Sequence, residues 1–154
     1  MILRQGDMFE SKPDVMLVTT NAFIRNDGGL VMGRGAAFQL TQKYPEAQAE
    51  FGRLVSCWSA TNPNQPYGVL TSFKWEKPVL AIFQVKNHFR DEADLGLIEN
   101  SVRCLTLWAV TKPSVKFAVN FPGIGNGRLS DTAVLPLLKP LPNNVEVWTY
   151  ANRL

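Results

Sequence analysis

The segment at residues 28–37 constrains the fold more than any other part of this sequence. It contains four glycines, follows an apolar run at 15–18, and precedes a helix-like run that begins at Ala36. Glycines between a strand and a helix let the backbone approach a ligand closely, and the N-terminus of the helix favours an anion such as phosphate. The alternative interpretation is a tight glycine turn without a ligand.

A second glycine-rich segment, at residues 121–129, has the same setting. It follows an apolar run at 115–120 and precedes a short helix-like run at 131–138. Two such loops at the carboxyl ends of two strands suit a two-phosphate ligand at the mouth of an α/β sheet. Neither loop is a P-loop, because no Gly-Lys-Ser/Thr follows, and neither has the spacing of the dinucleotide-binding fingerprint.

The order of the apolar patterns predicts an α/β fold. Strands are expected at residues 1–3, 14–20, 69–75, 79–85, 115–119 and 145–150. Helices are expected at residues 36–44, 46–56, 95–109 and 131–138. Such alternation implies a mixed sheet covered on both faces. The length of 154 residues predicts a single domain over residues 1–154.

The composition narrows the classes of partner. The net charge of +3 is mildly basic and would help to attract phosphate-bearing molecules, nucleic acid included. No apolar stretch approaches the roughly 20 residues of a membrane helix, and the first residues lack a signal-peptide pattern. Cys57 and Cys104 lie far apart without a Cys/His cluster, which argues against structural zinc and a disulfide framework. We therefore expect a cytoplasmic monomer without cofactor or metal.

Polar residues follow two of the predicted strands. Thr20 and Asn21 end the strand that leads to the first loop, and Asn21 could hold ribose hydroxyls or form a turn. Lys86 follows the strand at 79–85 and could contact a phosphate. If burial lowered its pKa, the free amine could act as a base or nucleophile. A solvated surface lysine is the usual alternative.

Several other side chains have two interpretations each. Asp7 could accept a hydrogen bond from an exocyclic amine or cap a turn. Phe121 could stack on a base or sugar, or lie buried at a strand end. Arg34 and Arg128 could face phosphates or solvent. His88 is the only histidine, and a lone histidine beside an aromatic residue is more often structural than catalytic.

These motifs, in this order, resemble a macrodomain. Gly-Asp at 6–7 and a strand ending in Asn21 precede Gly-Gly-Leu-Val-Met-Gly-Arg-Gly-Ala at 28–36. Lys-Asn-His-Phe-Arg at 86–90 and Gly-Ile-Gly-Asn-Gly at 123–127 follow. The resemblance covers nearly the whole chain. Within the family, the sequence is similar to the branch of DarG-type antitoxins and terminal ADP-ribose glycohydrolases, and to small phage and bacterial macrodomain proteins.

The resemblance implies a three-layer α/β/α sandwich around a mixed, mostly parallel sheet of about six strands, with an ADP-ribose cleft at the strand ends. Asp7 would bind the adenine amine, Met8 and Phe9 would enclose the base, and Asn21 would hold the distal ribose. The first loop would cradle the diphosphate and the second would form the opposite wall. The candidate ligand-binding residues are Asp7, Met8, Phe9, Thr20, Asn21, Gly29, Leu30, Val31, Met32, Gly33, Arg34, Gly35, Phe121, Pro122, Gly123, Ile124, Gly125, Asn126, Gly127 and Arg128.

The resemblance also implies an enzyme that removes ADP-ribose from a modified DNA base or protein. The lysine that matches Lys86 is linked to this cleavage in the branch, so Lys86 and Asn21 are the candidate catalytic residues. The oxocarbenium character that develops at C1″ gives an amine a chemical role there.

Three departures from the family pattern leave other functions open. The stretch between Phe121 and Gly125 is shorter than in relatives. The second loop has Asn126 and Arg128 where some members have a carboxylate, and Asp131 is out of register. The first loop has extra residues at 23–27. The alternatives are a phosphatase acting on ADP-ribose 1″-phosphate, a binding module that reads ADP-ribose without turnover, and a domain that binds no nucleotide.

Overall fold

The computed structural model describes residues 1–150, and within them the chain forms one six-stranded sheet and four α-helices. The strands are β1 (Ile2–Gln5), β2 (Val15–Thr20), β3 (Val69–Ser72), β4 (Val79–Gln84), β5 (Phe117–Asn120) and β6 (Val145–Thr149). The helices are α1 (Gly35–Lys43), α2 (Ala47–Thr61), α3 (Leu95–Val110) and α4 (Asp131–Val134). Short 3₁₀ turns lie at Met8–Glu10, Gly125–Gly127 and Leu135–Leu138.

The sheet has the strand order β1-β6-β5-β2-β4-β3. All neighbouring pairs are parallel except β3 and β4, which are antiparallel. Val15 of β2 lies opposite Val79 of β4 and Phe117 of β5. The three central strands therefore start level, and their carboxyl ends meet at one edge of the sheet. The predicted mixed, mostly parallel sheet of six strands is confirmed.

Each face of the sheet carries its own apolar core, because successive side chains of a strand point to opposite faces. Val15 and Leu17 of β2 lie in the core that α3 and the segment 134–141 cover. Met16 and Val18 lie in the core that α1 and α2 cover. The alternation along β2 thus produces three layers, as the α/β/α prediction requires.

The helix boundaries follow local hydrogen bonding. No side chain caps α1, whose N-cap residue is Arg34. Helix α2 continues past its predicted end at residue 56 to Thr61, where the backbone N–H of Asn62 donates to the carbonyl of Trp58. Helix α3 begins after Asp94, whose carboxylate accepts the backbone N–H of Leu97 at 3.0 Å. This cap fixes where the segment after β4 turns back onto the sheet.

Two elements end at least three residues before their predicted ends. Strand β3 ends at Ser72 rather than at residue 75, because the Ser72 hydroxyl accepts the N–H of Lys74 at 3.2 Å and donates to Glu50 at 2.6 Å. The predicted helix at 131–138 is α-helical only through Val134 and continues as a 3₁₀ turn. Pro136 in that turn has no N–H to donate.

None of the helices between residues 1 and 150 is long and apolar enough to span a lipid bilayer. The single domain over residues 1–154 stays a prediction, and residues 151–154 lie outside the described part.

Candidate functional site

The carboxyl ends of the central strands open into a cavity of about 750 Å³. This volume lies within the range of roughly 300–1,000 Å³ that is typical of small-molecule sites. Both glycine loops and the segment after β4 contribute to its walls. The sequence-predicted residues that line it are Thr20, Asn21, Val31, Met32, Gly33, Arg34, Gly35, Lys86, Phe121, Gly123, Ile124, Gly125, Asn126, Gly127 and Arg128.

The side chain of Asn21 determines the path of the first loop. Its Nδ2 donates to the carbonyl of Val31 at 3.0 Å, and its Oδ1 accepts the N–H of Phe23 at 2.9 Å. The backbone N–H of Val31 also donates to the carbonyl of Phe23 at 3.0 Å. Asn21 is only 6% exposed. The amide that was predicted to hold a ribose therefore also fixes the loop, and one of its two amide hydrogens remains for a ligand.

The glycines of the first loop serve two purposes. Gly28 packs against α2, where a Cβ added at Gly52 would lie 2.1 Å from the Gly28 carbonyl oxygen. A Cβ added at Gly33 would meet nothing within 4 Å. Gly35 has φ +61°, and a Cβ there would lie 3.2 Å from Nδ2 of Asn126 in the second loop. Close approach to a ligand is thus possible at Gly33, whereas Gly28 has a φ of +89° that favours glycine, and its contact with α2 requires glycine at position 52.

Helix α1 points its first turn at the cavity. Gly35, Ala36 and Ala37 line the wall, and no side chain caps this end of the nine-residue helix. The first amides of a helix lack intrahelical partners, and the helix dipole adds partial positive charge there. This end of α1 is therefore suited to a phosphate.

The second loop is held by tight packing against the residues that precede and begin α3. A Cβ at Gly123 would lie 2.7 Å from Cδ1 of Ile98, and one at Gly127 would lie 2.9 Å from Cβ of Ala93. The N–H of Ala93 donates to the Gly127 carbonyl at 2.9 Å. Packing therefore requires a residue without a Cβ at both positions, and Gly123 in addition has a φ of +78°. The sequence pattern did not reveal these contacts.

Lys86 emerges just after β4 and faces the cavity. Its Nζ donates to the backbone carbonyls of Phe89 at 3.1 Å and Asp91 at 3.2 Å. Partial burial lowers the pKa of Lys86, the nearby Arg128 and Arg34 cations lower it further, and the Asp91 carboxylate opposes them. The side chain is thus a held, partly desolvated amine that loses its proton more readily than an ordinary surface lysine.

The charge of the cavity has one sign. Arg34, Lys86, Arg90 and Arg128 line it, and none of its lining residues in the described chain is an aspartate or glutamate. Arg128 donates through Nη2 to the carbonyl of Arg90 at 3.0 Å, which joins the second loop to the segment after β4. Four cations around a concave site attract and orient a polyanion.

The predicted adenine-binding residues lie beside this cavity. Asp7, Met8 and Phe9 line an adjoining pocket of about 30 Å³, which shares Trp148 and Tyr150 with the main cavity. The Asp7 carboxylate accepts the N–H of Phe9 at 2.9 Å and caps the turn at Met8–Glu10. The turn-capping interpretation of Asp7 is therefore confirmed, while its contact with adenine stays a prediction.

Three predicted ligand-binding residues lie away from both pockets. Gly29, Leu30 and Pro122 line neither of them. Leu30 is fully buried, and its N–H donates to the carbonyl of Gln48 at 3.0 Å. Asp131 also stays outside the cavity and accepts the N–H of Thr132.

Sequence reasoning missed part of the wall. Phe89, Arg90, Trp148, Thr149 and Tyr150 line the cavity as well. The rule that ligands bind at the carboxyl ends of strands would have found Trp148 and Thr149, had it been applied to β6. Between residues 1 and 150, no group of three or more His, Cys, Asp or Glu side chains could hold a metal ion.

Comparison with known proteins gives matches among solved structures. No protein-family model matches the sequence, and no curated protein does. The Thermosipho africanus DarTG structure in complex with ADP-ribose is 21% identical, with a TM-score of 0.76 over 95% of this chain. This chain spans 40% of the length of that one. The macrodomain of Thermus aquaticus DarG is 22% identical, with a TM-score of 0.71 over 97% of this chain and 96% of that one.

A third structure agrees with these two. The macrodomain of Mycobacterium tuberculosis DarG is 22% identical, with a TM-score of 0.67 over 97% of this chain and 95% of that one. Structural agreement over nearly the whole chain, at this identity, establishes the architecture. The chain has the macrodomain fold, and among the compared structures it is similar to DarG macrodomains.

Proposed function

We propose that this chain binds ADP-ribose in the 750 Å³ cavity and hydrolyses the bond between ADP-ribose and a modified target, a DNA base or a protein, with assistance from Lys86. The observation that carries the proposal is the charge of the cavity. Four cations and the uncapped N-terminus of α1 surround a space with no carboxylate among its described lining residues. Such a site favours a ligand with a diphosphate.

The comparisons support the choice of ligand. One structure with the same fold is a complex with ADP-ribose. In this chain, Gly33 allows the backbone to approach a diphosphate because a Cβ there would meet nothing within 4 Å. Asn21 has one amide hydrogen left after its bond to Val31, and it lies on the cavity wall beside Lys86. The distal ribose would therefore lie between Asn21 and Lys86.

The chemistry follows from the state of Lys86. Hydrolysis breaks the bond from C1″ to the target, forms a bond from C1″ to a water oxygen, and gives the target a proton. Neutral Nζ has a lone pair left after donating its two hydrogens to Phe89 and Asp91, and it can attack C1″ and later yield it to water. Protonated Nζ has one hydrogen left for the leaving group. Because the pKa of Lys86 is lowered by burial and by Arg128 and Arg34, the neutral amine forms more readily than in an ordinary surface lysine.

A reader without turnover is the second candidate. The observation that favours it is that Asp131 stays outside the cavity and that no other aspartate or glutamate of residues 1–150 lines it. A carboxylate that could act as a general base and activate water is therefore missing from the described wall. Under this alternative, Lys86 acts only as a cation that orients the ligand.

The binding test is thermal unfolding with ADP-ribose, with AMP and NAD as controls. A ligand at about 100 times its dissociation constant should stabilise the native state by roughly 2.7 kcal/mol. We expect Arg34→Ala and Arg128→Ala to weaken binding at least about tenfold, because each removes a charged contact. Arg103→Ala is the matched control, since Arg103 lies on the exposed side of α3 and pairs with Glu99. No stabilisation by millimolar ADP-ribose would refute the site.

The turnover test compares Lys86→Ala with Lys139→Ala, an exposed lysine outside the cavity. Substrates are an ADP-ribosylated oligonucleotide, an ADP-ribosylated protein and ADP-ribose 1″-phosphate. The proposal expects release of ADP-ribose that only Lys86→Ala abolishes. Release of inorganic phosphate would identify a phosphatase instead. Binding without any product over long incubation would identify the reader.

A further inference from the structure

The position of the Lys86 amine depends on the turn that follows it in the chain. Only part of this turn lines the cavity. Nζ is held by the carbonyls of Phe89 and Asp91, at 3.1 and 3.2 Å. Both acceptors belong to the segment 88–91, which is part of neither a strand nor a helix. The conformation of this segment therefore decides where the amine lies.

His88 closes this segment through three hydrogen bonds. Its Nδ1 accepts the backbone N–H of Arg90 at 3.1 Å. Its own N–H donates to Oδ2 of Asp91 at 3.3 Å, and its carbonyl accepts the N–H of Asp91 at 3.0 Å. A ring nitrogen can accept a hydrogen bond only while it carries no proton, so this bond requires the tautomer with its proton on Nε2.

Ring contacts fix the plane of the imidazole. His88 stacks on Phe89 with centroids 4.4 Å apart and an interplanar angle of 24°. Phe23 meets His88 edge-on at 4.7 Å and Phe89 at 5.2 Å. The N–H of Phe23 is held by Asn21. Phe23, one of the extra residues of the first loop, thus contacts both rings of the turn.

We propose that His88 is a positioning residue for Lys86. The unprotonated Nδ1 of His88 holds the turn that presents two backbone carbonyls to the lysine amine. This inference rests on the proposed hydrolase function for its activity readout. His88 does not line the cavity in the described chain, so it acts through Lys86 rather than on the substrate. The three-ring cluster of Phe23, His88 and Phe89 keeps Nδ1 aimed at the N–H of Arg90.

The test is a set of three substitutions that separate the acceptor from the ring. His88→Ala removes both, His88→Phe keeps a ring without an acceptor, and His88→Asn places Oδ1 where Nδ1 lies. We expect kcat to fall by about ten- to a hundredfold in the Ala and Phe variants, because small misplacements of a catalytic group cost that much. His88→Asn should recover most of kcat, and KM should stay within about threefold throughout. Recovery by Phe but not by Asn would overturn the proposal.

A second readout does not depend on turnover. The chain has one histidine, so a long-range ¹⁵N spectrum contains a single imidazole and reports its tautomer directly. We expect the Nε2–H form, and a neutral ring protonated on Nδ1 would overturn the proposal. Lysine-selective NMR, assigned with Lys86→Arg, should show the pKa of Lys86 moving toward the ordinary lysine value in His88→Ala and staying low in His88→Asn.

These readouts separate two kinds of failure. If the wild type binds ADP-ribose without turnover, the hydrolase function fails, and the NMR titration still decides whether His88 positions Lys86. If turnover occurs and the Lys86 titration is the same in His88→Ala and His88→Asn, the hydrolase function stands and the positioning role fails.

Discussion

Replacing Asn21 with alanine tests whether the first loop is held by a side chain. The substitution removes the bond from Nδ2 to the Val31 carbonyl and the bond from the Phe23 N–H to Oδ1. A typical intramolecular hydrogen bond contributes about 1 kcal/mol net, so the loss should be about 2 kcal/mol. For a chain of this size, that corresponds to a decrease in Tm of roughly 4–8 °C.

The assay is urea unfolding combined with amide hydrogen exchange. We expect the unfolding midpoint to fall without a change in the m-value, and the amide of Phe23 to exchange faster than in the wild type. Asn26→Ala is the matched control, because Asn26 is an exposed asparagine of the same loop. That variant should unfold like the wild type within about 0.5 kcal/mol.

The result that refutes this reasoning is Asn21→Ala with unchanged stability and unchanged Phe23 exchange. If such a variant also lost ADP-ribose binding, Asn21 would serve the ligand alone. Asn21→Asp separates the two hydrogen bonds. It keeps an acceptor for the N–H of Phe23, but it places a carboxylate oxygen next to the Val31 carbonyl, where the two oxygens repel each other. We expect it to be destabilised at neutral pH and partly relieved in acid, where the carboxyl is protonated.

Three further predictions concern packing, a buried hydroxyl and pH. Gly52→Ala should strongly destabilise the folded protein, because the added Cβ would lie 2.1 Å from a backbone oxygen. Gly33→Ala should leave the Tm unchanged and weaken ADP-ribose binding. Thermal unfolding with and without ADP-ribose checks both expectations. Tyr67→Phe should lower the free energy of unfolding by about 1–3 kcal/mol in urea titrations, since the hydroxyl donates to the buried Asn21 carbonyl at 2.8 Å. Because the pKa of Lys86 is lowered in the folded protein, the unfolded chain binds more protons just below the ordinary lysine value, and stability should rise with pH there. Lys86→Met should lack this rise in urea unfolding between neutral pH and about 10.5; an equal rise in both proteins contradicts the assignment.

Local patterns were sufficient for the sheet and most helices. The run at 79–85 and the helical spacing at 95–109 are governed by burial, and β4 and α3 appear where those patterns lie. The predicted ends of elements were wrong where contacts with residues distant in sequence set the boundary. Strand β3 ends at Ser72 because Glu50 of α2 accepts its hydroxyl, and no window around residue 72 contains that information.

The same distinction applies to the candidate site: local patterns predicted its location but not its detailed contacts. Glycine loops after strands indicated where a cavity would form, because carboxyl strand ends are shared by neighbours in a parallel sheet. The reasons for individual glycines were not accessible. Gly127 must be small because Ala93 packs against it, and Gly52 must be small because the carbonyl oxygen of Gly28 approaches it. The same limit applies to Lys86, because burial lowers its pKa first and Arg128 and Arg34 from two other loops lower it further.

The pairing of β1 with β6 has a consequence for synthesis. Ile2 lies opposite Glu146, and in the described sheet β1 has no other neighbour. A nascent chain must therefore wait for residues 145–149 to leave the ribosome before its first strand finds a partner, and closing so long a loop slows that step. The same late strand carries Trp148, which walls both pockets. Ligand binding should consequently appear only after residues 145–149 have been synthesised and β6 has joined the sheet.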